Sequence, residues 1–210
     1  MLVTLVGDVH GDTNSIKNIP PRAIQLGDFD LYGYGVYSCS LPIFMIDGNH
    51  DALKNLILDA EKPYTVAPGL YHIPRGYVSG RVMFIGGGDS IDKMYRIPGV
   101  SWFQEECVSR DQIDRICSVG SDAIDVVISH DAPHFALAGM KLTFGIKKML
   151  PCSLAFDEIC WALKPSLWIH AHYHFSYETT KEGCLFVGLD VNEQREFDIP
   201  ISEDFFDKFK

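Results

Sequence analysis

A chain of 210 residues, 47% of them hydrophobic and 22% charged, is long enough to bury one good-sized core, and its composition excludes disordered and collagen-like classes. The 18 basic and 28 acidic side chains leave a formal charge of -10, which disfavours, without excluding, loose attachment to nucleic acid or an anionic membrane through a broad basic surface. Six cysteines without a CxxC pair read as buried free thiols, and the absence of a basic leader or an apolar run of membrane length fits one cytoplasmic domain over 1–210.

The elements follow in chain order. Residues 2 to 6 form a short apolar run that ends in Val6-Gly7-Asp8-Val9-His10-Gly11. A second, 23 to 26, ends in Leu26-Gly27-Asp28, and a third, 42 to 46, in Ile46-Asp47-Gly48-Asn49-His50-Asp51. Rich in Val, Ile and aromatics and bounded by Gly, Pro and Asp, these runs read as buried strands. Leu53, Leu56, Ile57 and Ala60 repeat at helical spacing, which predicts a helix over 51–61 with Asp51 as its cap or, as the alternative, as the group that orients His50. Its N-terminal N–H groups would favour a phosphate oxygen.

A strand over 82–85 runs into Gly86-Gly87-Gly88, read as a tight turn in preference to a phosphate cradle. Ser109 and Gln112 form a capping-box pattern ahead of a helix over 110–119, with Ile113, Ile116 and Cys117 on one face and Gly120 as a stop. A strand over 124–129 ends in His130. A helix over 153–164 carries Phe156, Ile159, Cys160 and Leu163 on its apolar face and is stopped by Pro165. A last buried strand, 166–170, leads into Ala171-His172-Tyr173-His174, and 175–189 reads as a hairpin turning at Lys181-Glu182-Gly183. The stretch from 192 onward is expected to pack on the surface as a short helix.

Strand and helix alternate, so the class is α/β, with loops at the C-terminal ends of the strands. A single histidine after a strand is more often a packed residue than a ligand. Here five strand-like runs each end in acids, histidines or an asparagine, and one sheet edge can gather them into a crevice of hard oxygens and imidazole nitrogens suited to Mn, Fe, Zn or similar divalent ions. Asp8 with His10, and His172 with His174, are spaced by one and can point to the same side of an extended segment.

In this order the blocks Gly7-Asp8-Val9-His10-Gly11, Gly27-Asp28, Gly48-Asn49-His50-Asp51, His130 and Ala171-His172-Tyr173-His174 resemble the calcineurin-like metallophosphoesterase superfamily. The resemblance implies a four-layer α/β/β/α sandwich with a dimetal site at the strand C-terminal ends. It implies Asp8, His10 and His174 on one metal, Asn49, His130 and His172 on the other, and Asp28 between them. It places His50 as a non-ligand group on the phosphate that assists the leaving oxygen, with a metal-bridging hydroxide as nucleophile. Ala171 replaces the usual glycine, and Phe29-Asp30-Leu31-Tyr32-Gly33 lacks the arginine of the phosphoprotein phosphatase branch.

The segment from Ile85 to Arg96, with Trp102-Phe103-Gln104-Glu105-Glu106, is similar to a subgroup of small bacterial and phage metallophosphatases. Arg75 and Arg96 are candidates to clamp phosphate beside Asn49, Trp102 and Phe103 read as core, and His72, His134 and His170 as structural. The expected function is hydrolysis of a small phosphate mono- or diester with two divalent cations. The alternatives are a Ser/Thr phosphoprotein phosphatase or a catalytically silent metal-bound scaffold, and the oligomeric state is not legible.

Overall fold

The computed structural model describes residues 1–30, 42–138 and 151–208. The first sheet has the order β12-β1-β2-β3-β5-β4, built from β1 (Leu2–Val6), β2 (Ile24–Gln25), β3 (Ile43–Met45), β4 (Tyr64–Ala67), β5 (Leu70–His72) and β12 (Gln194–Asp198). The second has the order β10-β11-β9-β8-β7-β6, from β6 (Tyr77–Ser79), β7 (Val82–Ile85), β8 (Val126–Ser129), β9 (Leu167–His170), β10 (Tyr177–Lys181) and β11 (Cys184–Gly188). In each, the four inner strands are parallel and both edge strands antiparallel. The α/β class is therefore as expected, and the six apolar runs supply six of the eight inner strands, β1, β2, β3, β7, β8 and β9.

The sheets share one core, in which Leu5, Ile24, Phe44 and Ile46 meet Val82, Phe84, Ile128, Ile169 and Val187. Runs of consecutive apolar residues are what strands buried on both faces require. The outer face of the second sheet is covered by α2 (Arg110–Cys117) and α4 (Pro151–Leu163), through Ile113, Ile116, Phe156, Ile159 and Leu163. The Ser109–Gln112 capping box is present, and a short α3 (His134–Leu137) packs beside α4. On the outer face of the first sheet, Ile16 of α1 (Thr13–Lys17) packs with Val6, Phe29, Ile43 and Met45. No helix among the described residues is long and apolar enough to cross a membrane.

Four expectations are corrected. The helix over 51–61 is a single 3-10 turn, Leu53–Asn55. The chain turns extended at Leu56, Leu53 and Leu56 are buried against Phe103, and Ile57 is 63% exposed. Spacing alone did not reveal that Asp51 is bound elsewhere and cannot cap a helix. Strands β4, β5, β6 and β12 were not anticipated, being short or, like β12, charged at a sheet edge. The hairpin turn is tighter than expected, with Glu182 and Gly183 alone between the strands, both at positive φ, as two-residue turns prefer.

The segment after β12 forms no surface helix. It turns inward, and Phe205 and Phe206 sit in the inter-sheet core, Phe205 stacked on Phe84 with ring centroids 5.8 Å apart. Phe205→Ala should therefore cost about 3–5 kcal/mol, the range for emptying a buried aromatic site, read as a lower urea midpoint at unchanged slope.

Candidate metal centre

All eight residues singled out at strand ends meet where the two sheets adjoin. From the first sheet come Asp8 and His10 after β1, Asp28 after β2, and Asn49 and His50 after β3; from the second come His130 after β8, and His172 and His174 after β9. Asp8, His10 and His174 place one ligand atom each within 4.8 Å of the others. The Nε2 atoms of His10 and His174 face each other at 3.0 Å, and Asp8 Oδ2 lies 2.9 Å from His174 Nε2.

Asp28, His130 and His172 form a second such group. His130 Nε2 is 3.1 Å from His172 Nδ1 and 3.1 Å from Asn49 Oδ1. Asp28 lies between the groups, its Oδ2 3.9 Å from His10 Nε2 and its Oδ1 3.5 Å from His130 Nε2.

The local backbone is bent to achieve this. His10, Asp28, His172 and His174 all have positive φ, between 44° and 68°. Non-glycine residues held in the left-handed region cost on the order of 1–3 kcal/mol each and gather at functional sites. Two glycines give the room. A Cβ on Gly27 (φ +93°) would meet the His130 ring at 2.5 Å, and one on Gly48 would meet Asp28 Oδ1 at 2.2 Å.

Hydrogen bonds set which atoms face inward. Leu26 O lies 2.7 Å from His130 Nδ1, so that nitrogen carries the proton and Nε2 presents a lone pair to the centre. The Asn49 amide nitrogen donates to Ser90 Oγ at 3.1 Å, and Ser90 donates to Glu106 at 2.5 Å, which turns Asn49 Oδ1 toward His130. The His172 backbone N–H donates to Asp8 Oδ1 at 3.2 Å, tying one sheet to the other inside the site. Tyr173, between the last two histidines, donates from its hydroxyl to Asp131 at 2.5 Å.

The donors fit divalent cations. Asp8 Oδ2 is buried and no group among the described residues satisfies it with hydrogen-bond geometry, and imidazole nitrogens converge on it and on Asp28 at distances that leave lone pairs facing one another. Burial lowers the pKa of His130, but the Asp28 and Asp8 carboxylates outweigh it and hold it at about 9. The centre thus draws in positive charge, which cations supply in place of protons. Burial, with His130 next, pushes His172 well below its ordinary range, leaving it a neutral base of the kind metals take.

A cleft of about 210 Å³ opens over both groups, lined by Asp28, Asn49, His50, Ile91, His172 and His174 among others. The His50 ring packs edge-on to His10 with centroids 5.0 Å apart. Its imidazole is pushed below its ordinary pKa by burial, against Asp28 and with help from the Arg96 charge. Arg96 Nη2 is 2.5 Å from His50 Nε2, and the same guanidinium reaches Asn49 O at 3.1 Å and Asp92 at 2.7 Å. Arg96 is therefore at the cleft.

Arg75 is not. It is 2% exposed, and its Nε and Nη2 donate to Asp47 at 3.0 and 2.6 Å while further N–H groups donate to Glu106 O and Cys107 O. A guanidinium so committed has no fork left for phosphate. His72 also pairs with Asp47, at 3.1 Å, and His170 meets the Tyr177 hydroxyl at 2.6 Å, both structural as expected. Gly86 to Gly88 form no local turn, contrary to expectation: Gly87 N–H and Gly88 N–H donate to the distant carbonyls of Asp47 and Glu106, which ties the segment to the loops after β3 and before α2 and leaves those two donors committed within the chain. Phe103 is buried as expected, while Trp102 is half-buried under the Lys93 ammonium, 3.8 Å from the ring centroid. Leu31, Tyr32, Gly33 and Cys39 lie outside the described residues.

Asp51 has a role that neither a cap nor a partner for His50 describes. Its Oδ2 accepts from Asp28 N–H at 3.0 Å and Gly48 N–H at 2.8 Å, and its Oδ1 from Asp30 N–H at 2.9 Å. A carboxyl group gripping the backbone on both sides of Asp28 fixes that residue between the two donor groups. The only advance signal was an acid directly after Asn49-His50.

No family model matches the chain. Among curated proteins it is similar to the lariat debranching enzyme of Schizosaccharomyces pombe, 26% identical over 203 residues, covering 80% of this chain and 42% of that protein. The chain thus spans under half the length of this relative. Among solved structures it is similar to the phosphopantetheinyl hydrolase PptH of Mycobacterium tuberculosis, at 12% identity and a TM-score of 0.41 over 90% of each chain, a superposition too loose to argue from.

Asp51→Asn keeps the size but sets an amide N–H₂ against backbone N–H groups. It should weaken divalent-cation binding by about 10–100-fold, the scale for loss of a partner that orients ligands, with little change in far-ultraviolet circular dichroism. Calorimetric titration with Mn²⁺ measures it, and unchanged affinity would show that Asp51 does not set the Asp28 loop.

Proposed function

We propose that this chain is a dimetal-dependent phosphoesterase of the calcineurin-like kind, its two sheets the centre of a four-layer sandwich. The observation that carries the reading is the pairing of two donor groups through Asp28 with a histidine, His50, that faces the same cleft. Asp8, His10 and His174 would hold one cation, Asn49, His130 and His172 the other, and Asp28 both. Manganese, iron or zinc suits this mixture of carboxylate and imidazole. When bound, the two cations supply Lewis acidity to the phosphoryl oxygens and an activated water for in-line attack.

The chain's own residues then have distinct tasks. Asn49 holds its Oδ1 inward because Ser90 and Glu106 hold its nitrogen. Burial holds the His50 imidazole below its ordinary range. An arriving phosphate ester adds negative charge beside it, which raises its proton affinity and lets it donate to a phosphoryl or leaving oxygen. Arg96 replaces its contact with His50 by one to phosphate, for which a guanidinium fork is suited. Similarity to a debranching enzyme supports an enzyme over a silent scaffold and favours a phosphodiester over a phosphoprotein; the net charge of -10 favours a small ester over a long nucleic acid.

The test is a panel of phosphomonoesters, phosphodiesters and a phosphopeptide, each assayed with several divalent ions after removal of bound metal by chelation. Chelated protein should be inactive and recover with Mn²⁺. His50→Ala should keep its metal content and lose about 100-fold or more in kcat, the scale for a general acid, while Asp28→Ala should lose both ions. No hydrolysis of any substrate by fully loaded wild-type protein would overturn the reading.

A further inference from the structure

We propose a third cation site, separate from the dimetal centre, formed by Asp89, Cys107 and Cys152 and suited to zinc. Each of the three offers one ligand atom, and those atoms lie within 4.8 Å of one another, the same closeness that defines both groups of the dimetal centre. They come from three segments: Asp89 from the loop after β7, Cys107 from just before α2, and Cys152 from the first turn of α4.

The bland reading is that Asp89 caps α4, since its Oδ2 accepts the Cys152 N–H at 2.5 Å. That accounts for one carboxylate oxygen. It does not account for two thiol sulfurs within 4.8 Å of each other and of that carboxylate, nor for a fourth group. Asp131 is fully buried, its Oδ2 has no hydrogen-bond partner among the described residues, and it lies within electrostatic reach of both Asp89 and Cys152. Two acids and two thiols thus share one partly buried volume. The neighbouring cation, Arg75, feels both thiols but is bound to Asp47.

The chemistry of the donors separates this site from its neighbour. Two sulfurs and one oxygen are the softer set that zinc takes in tetrahedral geometry, whereas the dimetal centre offers nitrogen and oxygen alone. Asp89 also lines the cleft, so the fourth position can be filled by water. Binding requires both thiols to lose their protons to solvent as the two Zn–S bonds form. Burial pushes the Cys152 thiol well above its ordinary range, so it is no reactive thiolate in the absence of a cation. Filled, the site would pin three segments around the cleft.

Cobalt(II) substitution tests this directly, because only sulfur ligands give intense near-ultraviolet sulfur-to-cobalt charge transfer. Wild-type protein, stripped and titrated with Co²⁺, should show that band, and zinc analysis should give one equivalent more than in Cys107→Ser. The band should vanish in Cys107→Ser and in Cys152→Ser and persist in Cys160→Ser, which alters the other buried thiol pair, Cys160 with Cys184. Should Cys152→Ser not fold, Cys107→Ser at its half-buried position and Asp89→Asn carry the test. Absence of the band in wild type, or its survival in Cys107→Ser, would overturn the proposal, and either result leaves the visible spectrum of the nitrogen- and oxygen-ligated ions as an independent readout of the dimetal centre.

Discussion

The Asp51 carboxylate, with backbone N–H groups of Asp28, Asp30 and Gly48 converging on it, is the constraint on which the centre depends. Asp28 is the residue that both donor groups share, it sits in a left-handed conformation, and it cannot hold that conformation by propensity. Three N–H donors aimed at one buried acid supply the missing restraint. The same bonds lock the loop after β2 to the loop after β3, so that His50 N–H can donate to Asp28 Oδ1 at 2.7 Å. Burial and the adjacent Asp28 carboxylate push the Asp51 carboxyl up to about 8, against the backbone donors that favour its charged form.

A second buried acid does the same work between the sheets. Asp47 follows β3 in the first sheet, binds Arg75 and His72, and its carbonyl accepts from Gly87 after β7 in the second. Arg75 in turn holds the carbonyls of Glu106 and Cys107, and Glu106 reaches Asn49 through Ser90. One ligand of the centre is thus oriented by a chain of contacts that begins at an ion pair outside the cleft.

Much of this was legible in the sequence. Buried inner strands announce themselves as unbroken apolar runs, and a repeated acid or histidine after such runs points to one edge, so the positions of Asp8, His10, Asp28, Asn49, His130, His172 and His174 followed from order alone. What was not legible depends on contacts between distant segments. Leu53, Leu56, Ile57 and Ala60 have helical spacing, yet Asp51 serves two loops and leaves the helix without a start. Arg75 and Arg96 look alike in sequence and differ only because one finds Asp47 in the interior and the other finds His50 at the rim. The edge strand β12 alternates exposed polar residues with the half-buried Arg195 and Phe197, and its pairing with β1 is visible only in the fold.

That pairing, with Phe205 and Phe206 in the inter-sheet core beside Val3, has a kinetic consequence. Contacts between residues far apart in sequence, as these are, close long loops and raise the contact order on which folding rate depends. The inter-sheet core is not complete until residues near 205 have joined residues near 3. Until then the strained left-handed turns at His10, Asp28, His172 and His174 lack the packing that holds them in place. The site at the strand ends is therefore held by packing that draws on residues near both 3 and 205, far from the site in sequence.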